Sequence, residues 1–224
     1  MESLTTAVQL ILELDQDVLA AVRTSLATSG IAILLAALIG IPLGGFVALR
    51  EFAGKRLVVT LLNTLMALPT VVIGLLVFGL LSRQGPLGSW GLLFTPAAMV
   101  VGQMILATPI VANHSMVAVA GADDRILHTL QTLGLAPLQT FGRLLLEVRF
   151  GIMAAVITGF GRVIGEVGVA MMLGGNIRGY TRTMTTAIAL ETSKGEFAFG
   201  LALGLVLMAV ALLVNLVLHQ LQQR

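Results

Sequence analysis

The sequence predicts an all-α integral membrane protein with about five transmembrane helices and an amphipathic helix at its N-terminus. Of the 224 residues, 57% are hydrophobic and 11% are charged, which is too little polar surface for a soluble domain of this size. The apolar residues fall in long blocks, and about 20 apolar residues in a helix cross the roughly 30 Å hydrocarbon core of a bilayer. No block alternates apolar and polar residues as barrel strands do, so helices must satisfy the backbone polar groups.

The rest of the composition excludes several kinds of site. The chain has no cysteine, which excludes disulfides, thiolate metal sites and cysteine nucleophiles. Its formal net charge of +2 comes from scattered residues, so there is no basic face for nucleic acid. We therefore expect neither a metal site nor a nucleic-acid partner.

The first seventeen residues, MESLTTAVQLILELDQD, predict a short helix at the membrane surface. Leu4, Val8, Ile11 and Leu12 share one helical face, and acidic residues lie around its edges. A polar leader without fixed structure is the alternative. The segment lacks the basic start of a cleavable signal peptide, so we expect it to be retained.

Five apolar blocks follow and predict the spans. The first lies within residues 18–49 and is most apolar over 30–49, where Pro42 and the neighbouring glycines predict a kink or a close helix contact. The remaining spans are expected at about residues 57–81, 96–120, 150–173 and 197–218.

Prolines interrupt two of these spans. Pro69, which Thr70 follows, lies in the second, and Pro109 lies in the third. Each leaves a backbone carbonyl without its helical donor and bends its helix. A hinge beside the transport path and a static packing kink both fit this pattern.

The loops between the spans predict one domain, residues 1–224, and its orientation. A polar turn covers residues 82–90, and longer extramembrane loops are expected at 121–149 and 174–196. Five spans place the two ends on opposite sides. With the N-terminus outside and the C-terminus in the cytoplasm, seven basic residues lie inside and five outside, in the direction that the positive-inside rule requires.

The loop over residues 123–149, DDRILHTLQTLGLAPLQTFGRLLLEVR, predicts a helix–turn–helix between two spans. Its apolar residues recur at helical spacing, Gly134 is a helix stop, and a second helix begins near Pro137. An amphipathic element of this kind is suited to docking in a groove of another protein. A membrane-surface loop without a partner is the alternative.

This loop resembles the cytoplasmic loop of ATP-binding-cassette (ABC) importer permeases. Their pattern is E-A-A, three further residues, a glycine, and then I-x-L-P. The E-A-A positions fall on His128, Thr129 and Leu130, and the glycine is Gly134. The later positions fall on Leu144, Leu146 and Glu147. The resemblance implies that this loop couples the permease to its ATPase through Asp124, His128, Thr129, Leu130, Thr132, Leu133, Gly134, Ala136 and Pro137.

Other stretches resemble the permeases of the molybdate, sulfate and tungstate group, and tungstate permeases most of all. The most specific stretch is GGNIRGYTRTMTTAIALETSKGEF, residues 174–197. The resemblance implies a type I importer permease fold and a homodimer in the cell inner membrane. It also implies two ATPase subunits and a periplasmic or lipid-anchored oxyanion-binding protein as partners.

The chain carries no means of driving uphill transport by itself. It has no G-x-x-x-x-G-K-[ST] phosphate loop, and its two lysines lie in the unrelated contexts AGKR and SKG. We therefore expect it to be a non-catalytic subunit that binds no cofactor, while ATP and Mg²⁺ bind the separate ATPase. Pairing of two copies would enclose the path.

Charged residues within or beside the spans are the remaining site candidates. Arg162 and Glu166 are an i,i+4 ionisable pair in the fourth predicted span, which fits either a structural ion pair that locks this helix or a place on the anion path. Arg178 and Arg182 are expected in the outer loop, either as solvated charges, as a contact for the binding protein, or as a positive field that favours a dianion at the mouth. The threonines nearby, residues 181–186, fit either oxyanion binding or helix packing.

Two other classes of membrane protein compete with this interpretation. An ion-coupled secondary transporter predicts acidic or histidine residues in several spans, and only the 162–166 pair is present. A membrane-embedded enzyme predicts a nucleophile with its base or a metal cluster, and the sequence has no such constellation.

Overall fold

The computed structural model describes residues 2–13, 15–132 and 134–222, which form eleven α-helices and a short 3₁₀ turn at Gly88–Trp90. Three helices are long and apolar enough to cross a membrane, and the number rises to five if each of two bent helix pairs counts as one span. The expectation of an all-helical protein with about five spans is confirmed over these residues.

The chain begins with two helices joined by a tight turn. α1, Glu2–Leu12, packs against the last helix of the chain and buries Ala7 completely, so the predicted amphipathic helix is present. α2, Gln16–Leu49, follows Asp15, whose carboxylate accepts hydrogen bonds from the amides of Asp17 and Val18. An N-cap of this kind satisfies amide groups that have no partner within the helix.

α2 and α5, Pro96–Ala120, form the central pair of the bundle. Their backbones approach closely at Gly40 and Gly44. A Cβ on Gly44 would lie 2.2 Å from the Ala112 carbonyl oxygen, so only glycine fits there. The predicted close contact near the end of the first span is confirmed, and the third span has the predicted bounds.

The second span is broken rather than continuous. α3, Lys55–Ala67, and α4, Thr70–Leu81, meet at an angle of 99° across Leu68 and Pro69. The bend at Pro69 was predicted, because proline cannot donate to the helical ladder and disfavours a helical conformation in the preceding residue. By contrast, Pro109 lies inside a continuous α5. The prediction that it interrupts the third span is therefore wrong.

The fourth span ends earlier than predicted. α8, Arg149–Ile164, stops at Gly165, and α9, Gly168–Gly174, begins after a three-residue break. The prediction of one helix over residues 150–173 is therefore wrong. Glu166 lies in the break and not on the helix that carries Arg162.

The segment 174–196 is not the simple extramembrane loop that was predicted. It contains α10, Met184–Lys194, whose first turn is buried against α2 and α11. α11, Phe197–Gln222, follows and covers the fifth predicted span. The polar composition of this segment suggested solvent exposure, but its threonines are satisfied by hydrogen bonds inside the protein.

Two apolar cores hold the helices together. The larger core joins α2, α4, α5, α8 and α9, and the smaller core joins the beginning of α2 to α10 and α11. Four of the described helices lie outside both cores: α1 packs against α11, and α3 packs against α5. The other two, α6, Asp124–Thr132, and α7, Pro137–Glu147, form an elbow between α5 and α8.

Candidate functional site

The elbow has the helix–turn–helix form predicted for the coupling loop. Gly134 adopts a left-handed conformation with φ of +66°, and a Cβ there would meet no atom within 4 Å. The residue is thus required for its backbone conformation and not for space. Pro137 occupies the first turn of α7, and the Gln139 side chain accepts a hydrogen bond from the Ala136 amide at 3.2 Å.

α7 anchors the elbow to the bundle through two apolar side chains. Phe141 lies against Gly45 of α2, where a Cβ would come within 2.4 Å of its ring. Leu144 is 1% exposed. α6, by contrast, packs mainly against α7, so the elbow projects from the bundle on one anchored helix.

The surface of the elbow combines polar groups with one prominent apolar side chain. Thr129 and Thr132 are exposed, and their hydroxyls donate to carbonyls of their own helix at 2.7 and 2.9 Å. Leu138 is 81% exposed and borders an open apolar groove of about 400 Å³ between α7 and the end of α2. Asp124 and His128 lie on α6, whereas Leu133 lies outside the described residues.

The predicted ion pair is present at the break after α8. Arg162 Nη1 donates to Glu166 Oε2 at 3.0 Å; the side chain of Arg162 is 43% exposed and that of Glu166 is 3% exposed. Since Glu166 precedes α9, the pair bridges the end of one helix and the break, and does not brace a single helix as predicted.

Glu166 joins three elements through four hydrogen bonds. Besides the bond from Arg162, its Oε1 accepts from the Val169 amide at 3.3 Å, and its own amide donates to the Val163 carbonyl at 3.2 Å. Its carbonyl accepts from the Thr185 hydroxyl at 2.9 Å. A break in a helix leaves amide and carbonyl groups without helical partners, and Glu166 satisfies several of them.

The break after α8 lies beside the break at Pro69. A Cβ placed on Gly168 would lie 3.3 Å from both the Thr70 hydroxyl oxygen and Glu166 Oε1. The structure therefore brings together Arg162, Glu166 and Thr70, which are three of the predicted path candidates, at the point where two broken spans meet. Pro69 immediately precedes Thr70 and ends the extended link between α3 and α4.

Gln103 is a site residue that sequence reasoning missed. It is buried in the middle of α5, and its Nε2 donates to the Val163 carbonyl in the last turn of α8 at 3.3 Å. The available signal was the single amide in the otherwise apolar stretch 96–107, because buried polar side chains need a partner.

The charges of the predicted outer loop form a cleft of about 370 Å³ between the start of α2, the 175–183 turn and α10. Arg178 donates through Nε to Asp17 at 2.8 Å and also pairs through Nη2. This hydrogen bond, followed by the attraction between the charges, raises the pKa of Arg178 above its ordinary value. Arg182 is only 17% exposed and lies 3.7 Å from Glu191, which also binds Lys194 at 3.0 Å. The interpretation of Arg182 as a solvated charge is therefore wrong.

The threonines that follow serve the fold. Thr181 donates to the Gly174 carbonyl at 2.5 Å, and Thr183 caps α10 by accepting from the Thr186 amide at 3.2 Å. All four threonines at positions 181, 183, 185 and 186 are buried and hydrogen-bonded within the protein. Of the two interpretations left open, packing is the one that this geometry favours.

The sequence was compared with protein families and with known proteins. Residues 40–224 match the family model for the binding-protein-dependent transport system inner membrane component. The chain is 42% identical to the tungstate uptake system permease protein TupB of Campylobacter jejuni, over 97% of this chain and 91% of that protein. It is 37% identical to TupB of Peptoclostridium acidaminophilum, over 99% and 97% of the two chains.

Among solved structures, an inward-facing form of the MetNI methionine ABC transporter is similar in fold. The TM-score is 0.77 at 17% sequence identity, covering 93% of this chain and 96% of that chain.

Proposed function

We infer the function of this chain from its family, because the chain belongs to the binding-protein-dependent transport system inner membrane components. Its fold is that of a type I ABC importer permease, and it is a multi-pass protein of the inner membrane. We propose that it is the permease subunit of an importer for a tetrahedral oxyanion, and that this oxyanion is tungstate.

The proposal that the substrate is tungstate depends on the similarity to a tungstate uptake permease over nearly the full length of both chains. The similarity includes the membrane helices and the elbow, so it concerns the transport machinery as a whole. Molybdate and sulfate are the alternatives within the same class, since both are tetrahedral dianions.

The proposed assembly contains two copies of this chain, two ABC ATPase subunits and a periplasmic or lipid-anchored oxyanion-binding protein. ATP and Mg²⁺ bind the ATPase subunits, and this chain performs no hydrolysis. The elbow supports the assembly because it projects from the bundle, exposes Leu138 and is held by Phe141. These are the features of an element that docks in a groove of a partner.

The oxyanion path is proposed to pass the two helix breaks. Charged side chains within membrane spans are costly and face either a partner or a water-filled interior. Arg162 is nearly half exposed, and Thr70 places a hydroxyl group at the same break. A guanidinium and a hydroxyl both donate hydrogen bonds, which is what the oxygens of a dianion accept.

The proposed orientation places the N-terminus outside and the C-terminus in the cytoplasm. The elbow then faces the cytoplasm and the ATPase, and the cleft with Arg178 faces the binding protein. Arg178 supports this part of the proposal because its side chain is 70% exposed and its charge attracts an acidic partner surface.

Uptake into proteoliposomes tests the function. Vesicles containing this chain and its ATPase, supplied with the binding protein, should accumulate tungstate only when ATP is present on the ATPase side. Competition by molybdate and sulfate then ranks the three anions. Uptake by this chain alone under an ion gradient would contradict the proposed class, and preference for molybdate or sulfate would contradict the proposed substrate.

A further inference from the structure

We propose that the turn between α2 and α3 binds the headgroup of an anionic phospholipid. This site is separate from the proposed oxyanion path and does not depend on it. The turn covers residues 50–54, between the last residue of α2 and the first of α3.

Basic side chains surround this turn. Arg50, Lys55 and Arg56 lie within seven residues, together with one acid, Glu51, so residues 50–56 carry a net charge of +2. Lys55 Nζ binds Glu51 at 2.6 Å. Arg50 and Arg56 are exposed, and neither forms an ion pair with any residue that the structure describes. Two guanidinium groups are thus available to an anion from outside the chain.

An open cleft of about 750 Å³ lies at this turn. Phe52, Lys55, Arg56 and Thr60 contribute to its wall, as does Glu51, which Lys55 neutralises. Arg50 lies at the other side of the turn, where it borders the groove beside α7. Phe46 packs on Phe52 with ring centroids 5.8 Å apart. The cleft begins where the long apolar helix α2 ends, which is the level at which a lipid headgroup lies when α2 crosses the bilayer.

An apolar stripe leads away from the cleft along α3. Leu57, Leu61 and Leu65 are spaced at i, i+4 and i+8 and are 63%, 51% and 42% exposed. Residues four apart share one face of a helix. The order of cations, turn and exposed leucines matches the order of phosphate, glycerol and acyl chain in one lipid molecule. That order favours a lipid over a soluble anion, because a soluble anion has no acyl chain to contact the leucines.

Native mass spectrometry of the detergent-purified full-length chain tests the site. The chain is titrated with phosphatidylglycerol or with phosphatidylcholine, and bound lipid is counted. We expect preferential binding of phosphatidylglycerol. Replacing Arg50 and Arg56 with glutamine should weaken that binding about fivefold per cation, or roughly 25-fold together, since each basic residue near an anionic surface contributes on the order of 1 kcal/mol.

The matched control replaces Arg23 and Arg83, two other exposed arginines, with glutamine and should leave lipid binding unchanged. The double change Arg50→Lys and Arg56→Lys should retain most of the preference, and it also serves as the folded reference if the glutamine variant does not fold. Equal binding of both lipids by the unmodified chain would overturn the proposal, as would an unchanged preference after Arg50→Gln and Arg56→Gln.

Two further arms exclude other occupants. Inorganic phosphate at millimolar concentration should not displace phosphatidylglycerol; displacement would indicate a site for a free anion. Because the chain has no cysteine, Leu61→Cys introduces a single thiol. Efficient oxidation of this variant to a disulfide-linked dimer in vesicles would show that a second copy covers the leucine stripe, and the lipid proposal would then be wrong.

Discussion

At the scale of single residues, the asymmetry between Arg162 and Glu166 determines what each contributes. The carboxylate is almost fully buried while the guanidinium is nearly half exposed. Removing the arginine leaves a buried charge without its partner, which is expensive. Removing the negative charge leaves an arginine that solvent or a water-filled passage still stabilises.

Glutamine substitutions measure this asymmetry. Arg162→Gln should lower the free energy of unfolding by about 3 kcal/mol, the lower end of the range for breaking a buried pair. Glu166→Gln should cost about 1 kcal/mol, because its side-chain oxygen still accepts from the Val169 amide. The double variant should resemble Glu166→Gln. Denaturation of the purified protein in detergent measures all three.

The double variant also separates packing from transport. If Arg162 lies on the anion path, a stable Arg162→Gln and Glu166→Gln protein should lose ATP-dependent uptake. Additive costs of the two changes would contradict the proposed coupling between the side chains, and full uptake by the stable double variant would limit the pair to a structural role.

The role of Gly134 follows from its backbone conformation. Its φ of +66° is costly for a residue with a Cβ, at roughly 1–2 kcal/mol and more for a branched side chain. Gly134→Val should therefore change the angle of the elbow without affecting the membrane helices. We expect ATP hydrolysis to continue while uptake per ATP falls.

Gly142 provides a matched control for that experiment. It lies on α7, is exposed, and a Cβ there would meet no atom within 4 Å, but its backbone is helical. Gly142→Val should leave uptake per ATP close to that of the unmodified chain. Equal loss from both variants would show that bulk on the elbow matters and that the left-handed turn does not.

At the scale of elements, the contact between α2 and α5 sets the shape of the bundle. Gly44 lets the two backbones approach, since a Cβ there would clash with the Ala112 carbonyl oxygen at 2.2 Å. In membranes, small residues at helix contacts permit the packing that holds spans together. We expect Gly44→Ala to lower the melting temperature and the yield of folded protein.

Gly30 is the control in the same helix. A Cβ on Gly30 would meet no atom within 4 Å, and alanine favours a helix over glycine by roughly 0.5–1 kcal/mol. Gly30→Ala should therefore be neutral or slightly stabilising. A Gly44→Ala protein as stable as Gly30→Ala would mean that the two helices do not pack as described.

Some elements were predictable from the sequence and others were not. Apolar length located α5 to the residue, and Pro69 identified the bend between α3 and α4. The break at 165–167 was missed because it contains no proline and has apolar residues on both sides. Part of what satisfies its backbone is a hydrogen bond from the distant Thr185 to the Glu166 carbonyl, which no local pattern reveals. α10 was missed because hydrogen bonds within the protein satisfy threonines such as Thr185, and composition alone does not reveal that.

In the candidate sites, too, the features that depend on local sequence were predictable and the contacts between distant residues were not. The turn at Gly134 was predictable because a local backbone conformation requires glycine there. The pairing of Arg178 with Asp17 and the bond from Gln103 to Val163 join distant parts of the chain, and no local pattern specifies such partners. Single-sequence reasoning therefore identifies the residues of these sites better than it identifies their contacts.

At the scale of the whole molecule, we propose that a separate ATPase moves this bundle through the elbow. The sequence has no phosphate-binding loop, and the elbow is the part of the fold that projects from both apolar cores. The elbow contacts α2 through Phe141 and continues into α8, so we expect movement of the elbow to displace these two helices.

Site-specific cross-linking shows whether the ATPase docks on the elbow. Leu138→Cys places one thiol at an apolar position of the elbow that is 81% exposed, in a chain that has no other cysteine. A photoactivatable thiol reagent on this residue should cross-link to the ATPase subunit in the assembled transporter, and the same reagent on Ser89→Cys, in the turn between α4 and α5, should not. Cross-links from Leu138→Cys to lipid alone, with the ATPase present and active, would contradict the account.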